Sequence, residues 1–348
     1  MNAWPTRAAR VAERIWYGGS AWRFALWPLS ALFRALVGLR ARLYRAGVKR
    51  KVELPVPVVV VGNVTAGGTG KTPFVIWLAR ELAERGRAPG IVTRGYGGRA
   101  AQWPRRVTPE SSPDDVGDEP VLLAARTGRP VHAGPDRVAA AEALLRDAPE
   151  VDVVLSDDGL QHYRLARAFE IAVVDGARGL GNGLCLPAGP LREPAERLAS
   201  VDALVVNGDG ARAAGLPGAD RDVPRVTMKL AVSRVYRLFD GAETTLAEFA
   251  GRTVHAVAGI GNPERFFRTL EDAGITVLRH PLPDHARLRP EHLPREPAVP
   301  VLTTEKDAVK LRGVVRDDVW CVAVDAVVGE ADGARLVAAI EVATASRR

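Results

Sequence analysis

The chain has 348 residues, 47% hydrophobic and 26% charged, which fits roughly two globular domains and excludes a disordered or low-complexity chain. Its formal charge of +7 is lopsided: residues 1–51 hold eleven Lys and Arg against one acid, Glu13, a net of +10, so the remaining residues sum to −3. A body of that sign is not a uniformly basic nucleic-acid binder, and two distant cysteines, Cys185 and Cys321, have no metal-ligand spacing and fit a reducing compartment.

Residues 14–46 come first, rich in Trp, Phe, Leu and Ala, with four of the seven tryptophans between Trp4 and Trp27. Arg23, Pro28 and Arg34 interrupt the apolar run, so its uninterrupted part falls far short of the ~20 residues that span a bilayer. No stretch reads as a signal peptide. An apolar helix rimmed by Trp and Arg suits an interfacial membrane anchor; a helix packed on the core with a basic outer edge is the plainer alternative.

The first clear strand is Pro57–Val61, all valine after its proline. It runs into Thr65-Ala66-Gly67-Gly68-Thr69-Gly70-Lys71-Thr72 and a helix over Pro73–Arg85. Strand, glycine loop, Lys-Thr and helix form a phosphate-binding loop. The glycines let backbone N–H groups approach phosphates, Lys71 would reach the outer phosphates, and the Thr72 hydroxyl would hold Mg²⁺. The pattern G-x-x-x-x-G-K-[ST] has Gly where this chain has Thr65, which leaves an ordinary glycine-rich turn as the alternative.

Strands at Gly90–Thr93, Pro130–Ala133, Val151–Ser156, Glu170–Asp175 and Ala203–Asn207 alternate with helices at Asp118–Arg126 and Asp136–Asp147, predicting a parallel α/β sheet covered on both faces. Ligands bind beyond the carboxyl ends of such strands. That rim receives Arg94-Gly95-Tyr96-Gly97-Gly98, which also reads as a mobile surface loop. It receives Asp157-Asp158, either a metal-holding acid pair or a turn cap. Asp118 and Glu119 open a helix, where acids often do no more than favour the dipole. Arg178 to Pro194 is a long Gly- and Pro-rich loop with Asn182, Arg192 and Glu193 among its polar groups.

A Gly-, Ala-, Pro- and Asp-rich linker lies between Gly208 and Pro224, followed by a short strand pair, Val226–Leu230 and Arg234–Phe239. A second α/β series then reads Thr253–Ala258, helix Pro263–Ala273, Thr276–Arg279, Val299–Thr303, helix Glu305–Arg312, Val319–Val324 and helix Glu330–Ala345. The domain expectation is a helical arm at 1–50, a P-loop domain at 51–222 and a smaller α/β domain at 223–348. Asp284-His285 stands in a proline-punctuated loop, and the six histidines have no metal-binding spacing.

The motifs GNVTAGGTGKTP, TRGYGG, GDEP, DDGLQH, RGLGNGLCLPAGPLREP, PDH and TTEKDAVK occur in this order. Together they resemble the tetraacyldisaccharide 4'-kinase family over roughly residues 15–325. The resemblance implies a P-loop fold of two α/β domains joined by a two-stranded linker. It implies ATP and Mg²⁺, transfer of the γ-phosphate to the 4'-hydroxyl of a tetraacyldisaccharide 1-phosphate in lipid A biosynthesis, and a peripheral location on the cytoplasmic face of the bacterial inner membrane. No nucleic acid and no obligate protein partner are implied. Residues 65–72 would bind ATP; Asp118, paired with His285, would be the catalytic base beside Lys71. Thr72, Glu119, Asp157 and Asp158 would serve Mg²⁺, and Tyr96, Asn182, Arg192 and Glu193 would line the cleft. Thr65 fits the family, which has a hydroxyl residue there; Leu180 and Ala168 depart from its common Phe and Asp. A partition-type ATPase would have a lysine in place of Ala66, and a soluble small-molecule kinase leaves the basic arm unexplained.

Overall fold

A computed structural model describes the chain except residues 1–3, 209, 213–214, 219–222, 295–298, 314–315 and 346–348; part of the predicted 208–224 linker therefore lies outside the described residues. In chain order the elements are α1 (Trp4–Tyr17), α2 (Trp22–Arg45), β1 (Val58–Gly62), α3 (Lys71–Glu84), β2 (Pro89–Thr93), β3 (Arg105–Val107), α4 (Pro113–Val116), α5 (Asp118–Thr127), β4 (Val131–Ala133), α6 (Arg137–Asp147), β5 (Val153–Asp157), β6 (Phe169–Asp175) and β7 (Ala203–Asn207). The rest are β8 (Arg225–Arg237), β9 (Glu243–Thr244), β10 (Thr253–Ala258), α7 (Pro263–Asp272), β11 (Thr276–Pro281), β12 (Val301–Thr304), α8 (Glu305–Ala308), β13 (Val319–Val328) and α9 (Glu330–Ala345).

One sheet runs through the described chain in the order β11-β10-β12-β13-β8-β7-β6-β1-β5-β2-β4-β3, with β9 paired to β8. Pairing is parallel except at β13–β8, β3–β4 and β8–β9. The valine run explains the central place of β1, between β5 and β6. Its side chains alternate, so Val59 and Val61 enter one core with Phe74, Leu78 and Ile171, while Val58 and Val60 enter the other with Leu144, Leu160 and Leu191. The last helix, α9, returns to the P-loop half, where Leu336, Val337 and Ile340 join the first core.

Two expected elements differ. Val226–Leu230 and Arg234–Phe239 are not a pair of strands but one thirteen-residue strand, β8, whose partner is β13. The register slips between Ala323 and Val324, opposite Ser233; that irregularity separates the two apolar runs without a turn. These long antiparallel strands carry the sheet from the P-loop half to the C-terminal half. The predicted helix Glu305–Arg312 stops at Ala308, a single capped turn in which Thr304 accepts from Asp307 N–H.

The N-terminal arm is also more regular than its sequence suggests. Pro28 lies inside α2, and the helix continues past it despite the lost i→i−4 bond and the clash of the ring with the carbonyl four residues back. The resulting 24 residues, about 36 Å at 1.5 Å each, are long and apolar enough by length and composition to cross a membrane. Little of α2 is covered. Ser30 donates to Cys185 O at 2.6 Å and Arg34 meets Glu196 at 2.8 Å. Trp22, Phe24, Trp27, Leu29, Leu32, Leu36 and Leu39 are each more than half exposed.

The loop from Arg178 to Pro194 joins this arm to the centre of the sheet. On one side Asn182 Nδ2 donates to Ile15 O, Trp16 Nε1 donates to Pro187 O, and Arg178 pairs with Glu13. On the other side Thr65 forms an antiparallel bridge with Leu191, Ala66 N–H donates to Pro190 O, and Arg192 N–H donates to Val64 O.

Candidate active site

The phosphate loop fills the turn from β1 to α3. Gly70 opens α3 at φ 90°, the left-handed region that favours glycine, and a Cβ there would stand 2.5 Å from Asn207 Nδ2. Asn207, at the end of β7, holds the loop by donating to Thr69 O at 3.0 Å. Thr65 needs no glycine geometry because its backbone is extended in the bridge to Leu191; its carbonyl accepts from Asn63 Nδ2 at 2.7 Å. Lys71 Nζ reaches back to Asn63 Oδ1 at 3.1 Å and to Asp158 at 3.4 Å.

A cleft of about 700 Å³ opens over this loop, with residues 67–72, Tyr96, Glu119, Asp158, Arg192, His285 and Lys306 on its walls. Its far end is apolar, built from Leu230, Ile260, Phe266, Val322 and Val324. The loop after β10 crosses close to the glycines: a Cβ on Gly261 would lie 2.4 Å from Gly68 N. Both halves of the sheet therefore meet at the phosphate loop itself.

The acid pair at the end of β5 divides its work. Asp157 is fully buried, its Oδ1 has no hydrogen-bond partner, and burial, then the nearby Glu119, push its carboxyl well above the usual range. Asp158 has φ 49° and receives two hydrogen bonds from Arg192 Nη1 at 2.9 and 3.0 Å. Burial opposes its ionisation, but Lys71 and Arg192 outweigh that and hold its carboxyl well below the usual range. Arg137, buried at the start of α6, adds positive field to the same pair.

Asp118 starts α5 and is 4% exposed. Its Oδ1 accepts from His285 Nδ1 at 2.8 Å and from Glu119 N–H at 2.9 Å. Its Oδ2 is buried with no aligned hydrogen bond, though Lys310 Nζ stands 3.0 Å away. Burial opposes ionisation here too, yet the bond to His285 and the charges of Lys306 and Lys310 hold the carboxyl well below its ordinary range. His285 stands at φ 58°; with Asp158 it makes up the non-glycine residues at positive φ among those described, and both face the cleft. Tyr96 lies against the His285 ring, centroids 4.6 Å apart.

Of the predicted cleft residues, Tyr96 and Arg192 line it. Asn182 and Glu193 are turned elsewhere. Asn182 is taken up by Ile15 O, Ala188 O and Leu184 N–H. Glu193 is 1% exposed, bonded to Gln161 at 2.8 Å and to the Tyr163 hydroxyl. Gln161 in turn donates to Asn63 O, so Glu193 supports the phosphate loop from behind. Sequence reasoning assigned no role to Lys306, Lys310, Asn63 or Asn207. The signal for the lysines was present in TTEKDAVK, which places two cations four residues apart beside an acid-rich rim.

Arg126, from α5, ties the two halves together beside the site through Glu305 and Asp325. Among the described residues no group of three or more His, Cys, Asp and Glu side chains forms a closed metal cage. An unpartnered buried carboxylate oxygen beside a phosphate loop is nevertheless a fitting donor for a hard cation that also binds phosphate and water. The arrangement can hold a triphosphate, neutralise it and accept a proton from a hydroxyl group.

A sequence model of "Tetraacyldisaccharide-1-P 4'-kinase" matches residues 22–341. The chain is 56% identical over 307 residues to the tetraacyldisaccharide 4'-kinase of Alkalilimnicola ehrlichii, covering 88% of this chain and 89% of the relative. It is 46% identical over 330 residues to that of Methylobacillus flagellatus, covering 95% and 96%. The crystal structure of LpxK from Aquifex aeolicus in complex with ATP superposes with a TM-score of 0.75 at 28% identity, covering 92% of this chain and 99% of that one. With the family model spanning most of the chain and relatives this similar matched almost end to end, the chain belongs to the tetraacyldisaccharide-1-P 4'-kinase family.

Proposed function

We propose that this chain transfers the γ-phosphate of ATP to the 4'-hydroxyl of a tetraacyldisaccharide 1-phosphate, a step of lipid A biosynthesis. The observation that carries this reading is one cleft with both Lys71 and His285 on its walls, and Asp118 bonded to that histidine at 2.8 Å. Phosphoryl transfer needs alignment and charge neutralisation more than covalent help. Residues 67–72 cradle the phosphates, and Lys71, once engaged by phosphate, exchanges its contact with Asp158 for the incoming charge.

Mg²⁺, when bound, supplies further neutralisation of the phosphates. Asp157 and the Thr72 hydroxyl are its best protein ligands, because Asp158 is already balanced by Lys71 and Arg192, and Glu119 by Lys306. Asp118 takes the proton of the acceptor hydroxyl, its Oδ1 held by His285 and its Oδ2 facing Lys310 Nζ at 3.0 Å. A depressed carboxyl is a weak base, which suits a late proton transfer: the hydroxyl becomes acidic only as its bond to phosphorus forms. His285 keeps the carboxylate oriented from the other half, so the base and the phosphate loop are aligned only in a closed cleft. We treat residues 51–222, with α9 packed into their core, and residues 223–328 as the two units of that closure.

The exposed apolar face of α2, with the basic residues around it, fits a peripheral position on the cytoplasmic face of the inner membrane, where an acylated acceptor resides. The partition-type ATPase is disfavoured by Ala66, and a soluble small-molecule kinase by this exposed face. Incubation with ATP, Mg²⁺ and the disaccharide 1-phosphate should add one phosphate to the lipid, and Lys71→Ala should abolish the gain. Turnover of Lys71→Ala near that of the native chain would remove the phosphate loop from the reaction.

A further inference from the structure

Lys306 balances Glu119 and Asp118, and it also faces the ring of His285. It comes from the single-turn α8 and is almost completely buried in the cleft wall. An ammonium has three protons and no acceptor capacity. Lys306 Nζ directs them to Glu119 Oε1 at 3.0 Å, Asp284 Oδ1 at 2.8 Å and His285 Nε2 at 3.2 Å. The third contact has a consequence. A lysine cannot accept a hydrogen bond, so Nε2 facing it must be the unprotonated nitrogen of the ring. The ring proton then sits on Nδ1, from which it is donated to Asp118 Oδ1 at 2.8 Å.

We propose that Lys306 is a positioning residue that selects the Nδ1–H tautomer of His285 and thereby aims the Asp118 carboxylate at the acceptor hydroxyl. The alternative state is visible beside it. Asp284 Oδ1 lies 3.7 Å from His285 Nε2 and would take a proton-bearing Nε2 if the ammonium were gone. A neutral ring with its proton on Nε2 would turn an unprotonated Nδ1 toward Asp118, two acceptors facing each other, and the carboxylate would lose its orienting donor. Lys306 also binds groups from both halves, Glu119 on one side and Asp284 and His285 on the other. The tautomer is therefore set by contacts from both halves. The effect on turnover rests on the phosphotransfer reading above; the tautomer itself does not.

The test uses the full chain labelled with ¹⁵N-histidine, without substrate. Long-range ¹H–¹⁵N correlation should show one ring, absent from His285→Asn, with a protonated Nδ1 and an unprotonated Nε2. In Lys306→Met the same ring should move its proton to Nε2 or carry one on each nitrogen. Turnover of Lys306→Met on the lipid disaccharide should fall about 10²-fold, the cost of a misaligned catalytic group, with KM for ATP within threefold, and Lys306→Arg should recover part of it. A protonated Nε2 in the native chain, with the ring neutral or charged, overturns the proposal whether or not any variant folds. So does a Lys306→Met chain with native tautomer and native turnover. An inactive native chain with the expected tautomer would instead refute the phosphotransfer reading and leave the tautomer assignment standing.

Discussion

Replacing Gly261 by alanine adds one methyl group where the two halves touch. The new Cβ would stand 2.4 Å from Gly68 N, 2.9 Å from Gly68 Cα and 3.2 Å from Gly67 C. Ordinary contacts between such atoms are about 3.5 Å or longer, so the loop after β10 must retreat by about 1 Å. All three neighbours are backbone, so no rotamer change relieves the overlap. Misplacement of about 1 Å between reacting parts costs about 10²-fold in rate, and turnover of Gly261→Ala should fall by that factor. Stability should change little, because Gly261 is only half-buried and its loop can retreat. Steady-state lipid phosphorylation and a thermal melt measure the two quantities, with Gly329→Ala as the control, since a Cβ there meets nothing within 4 Å. Native turnover in Gly261→Ala would show that closure of this loop on the glycines is not needed for the reaction.

Asp118→Ala should lower turnover about 10³-fold while ATP affinity, read by equilibrium binding, stays within threefold; equal losses in both would make Asp118 a binding residue. Removing residues 1–46, or changing Leu29, Leu32 and Leu36 together to serine, should release the chain from anionic liposomes in a flotation gradient. Continued flotation of both would refute the anchor. His162 is held at about 4 by burial and then by the field of Arg137, against an ordinary value of about 6.5. An unfolded chain therefore takes up this proton before the folded one does, so stability is full above about 6.5 and falls as pH drops toward 4. The loss is up to about 3 kcal/mol, less the solvent screening of a ring still 24% exposed. Denaturant melts across that window should show His162→Gln with a flatter slope, and an unchanged slope would contradict the assignment.

The elements that could be read from sequence were those with a local cause. The valine run of β1, the glycines before Lys71 and the acids after β5 each announce their own geometry. Neither member of the Asp118–His285 pair stands out in its own surroundings; only the resemblance to a family joins them, since 167 residues separate the two. What stayed hidden depends on distant contacts. The continuity of β8 was masked because Ser233 interrupts the apolar alternation, and only its partner β13 shows that the strand continues past the irregularity. The resemblance to the family implies that Asn182 and Glu193 line the cleft, but a backbone acceptor on α1 and the Gln161–Tyr163 pair claim them first. The lysines of TTEKDAVK had no visible task until Glu119, Asp284 and His285 were brought around them.

The central claim is that this cleft phosphorylates one particular hydroxyl of an acylated disaccharide. The most direct measurement is the ¹H–³¹P correlation spectrum of the lipid product formed with ATP and Mg²⁺. The account predicts a new phosphate ester coupled to the proton at the 4' carbon, formed by the native chain and not by Asp118→Ala. A phosphate on any other position, or ATP consumed with the lipid unchanged, would contradict it.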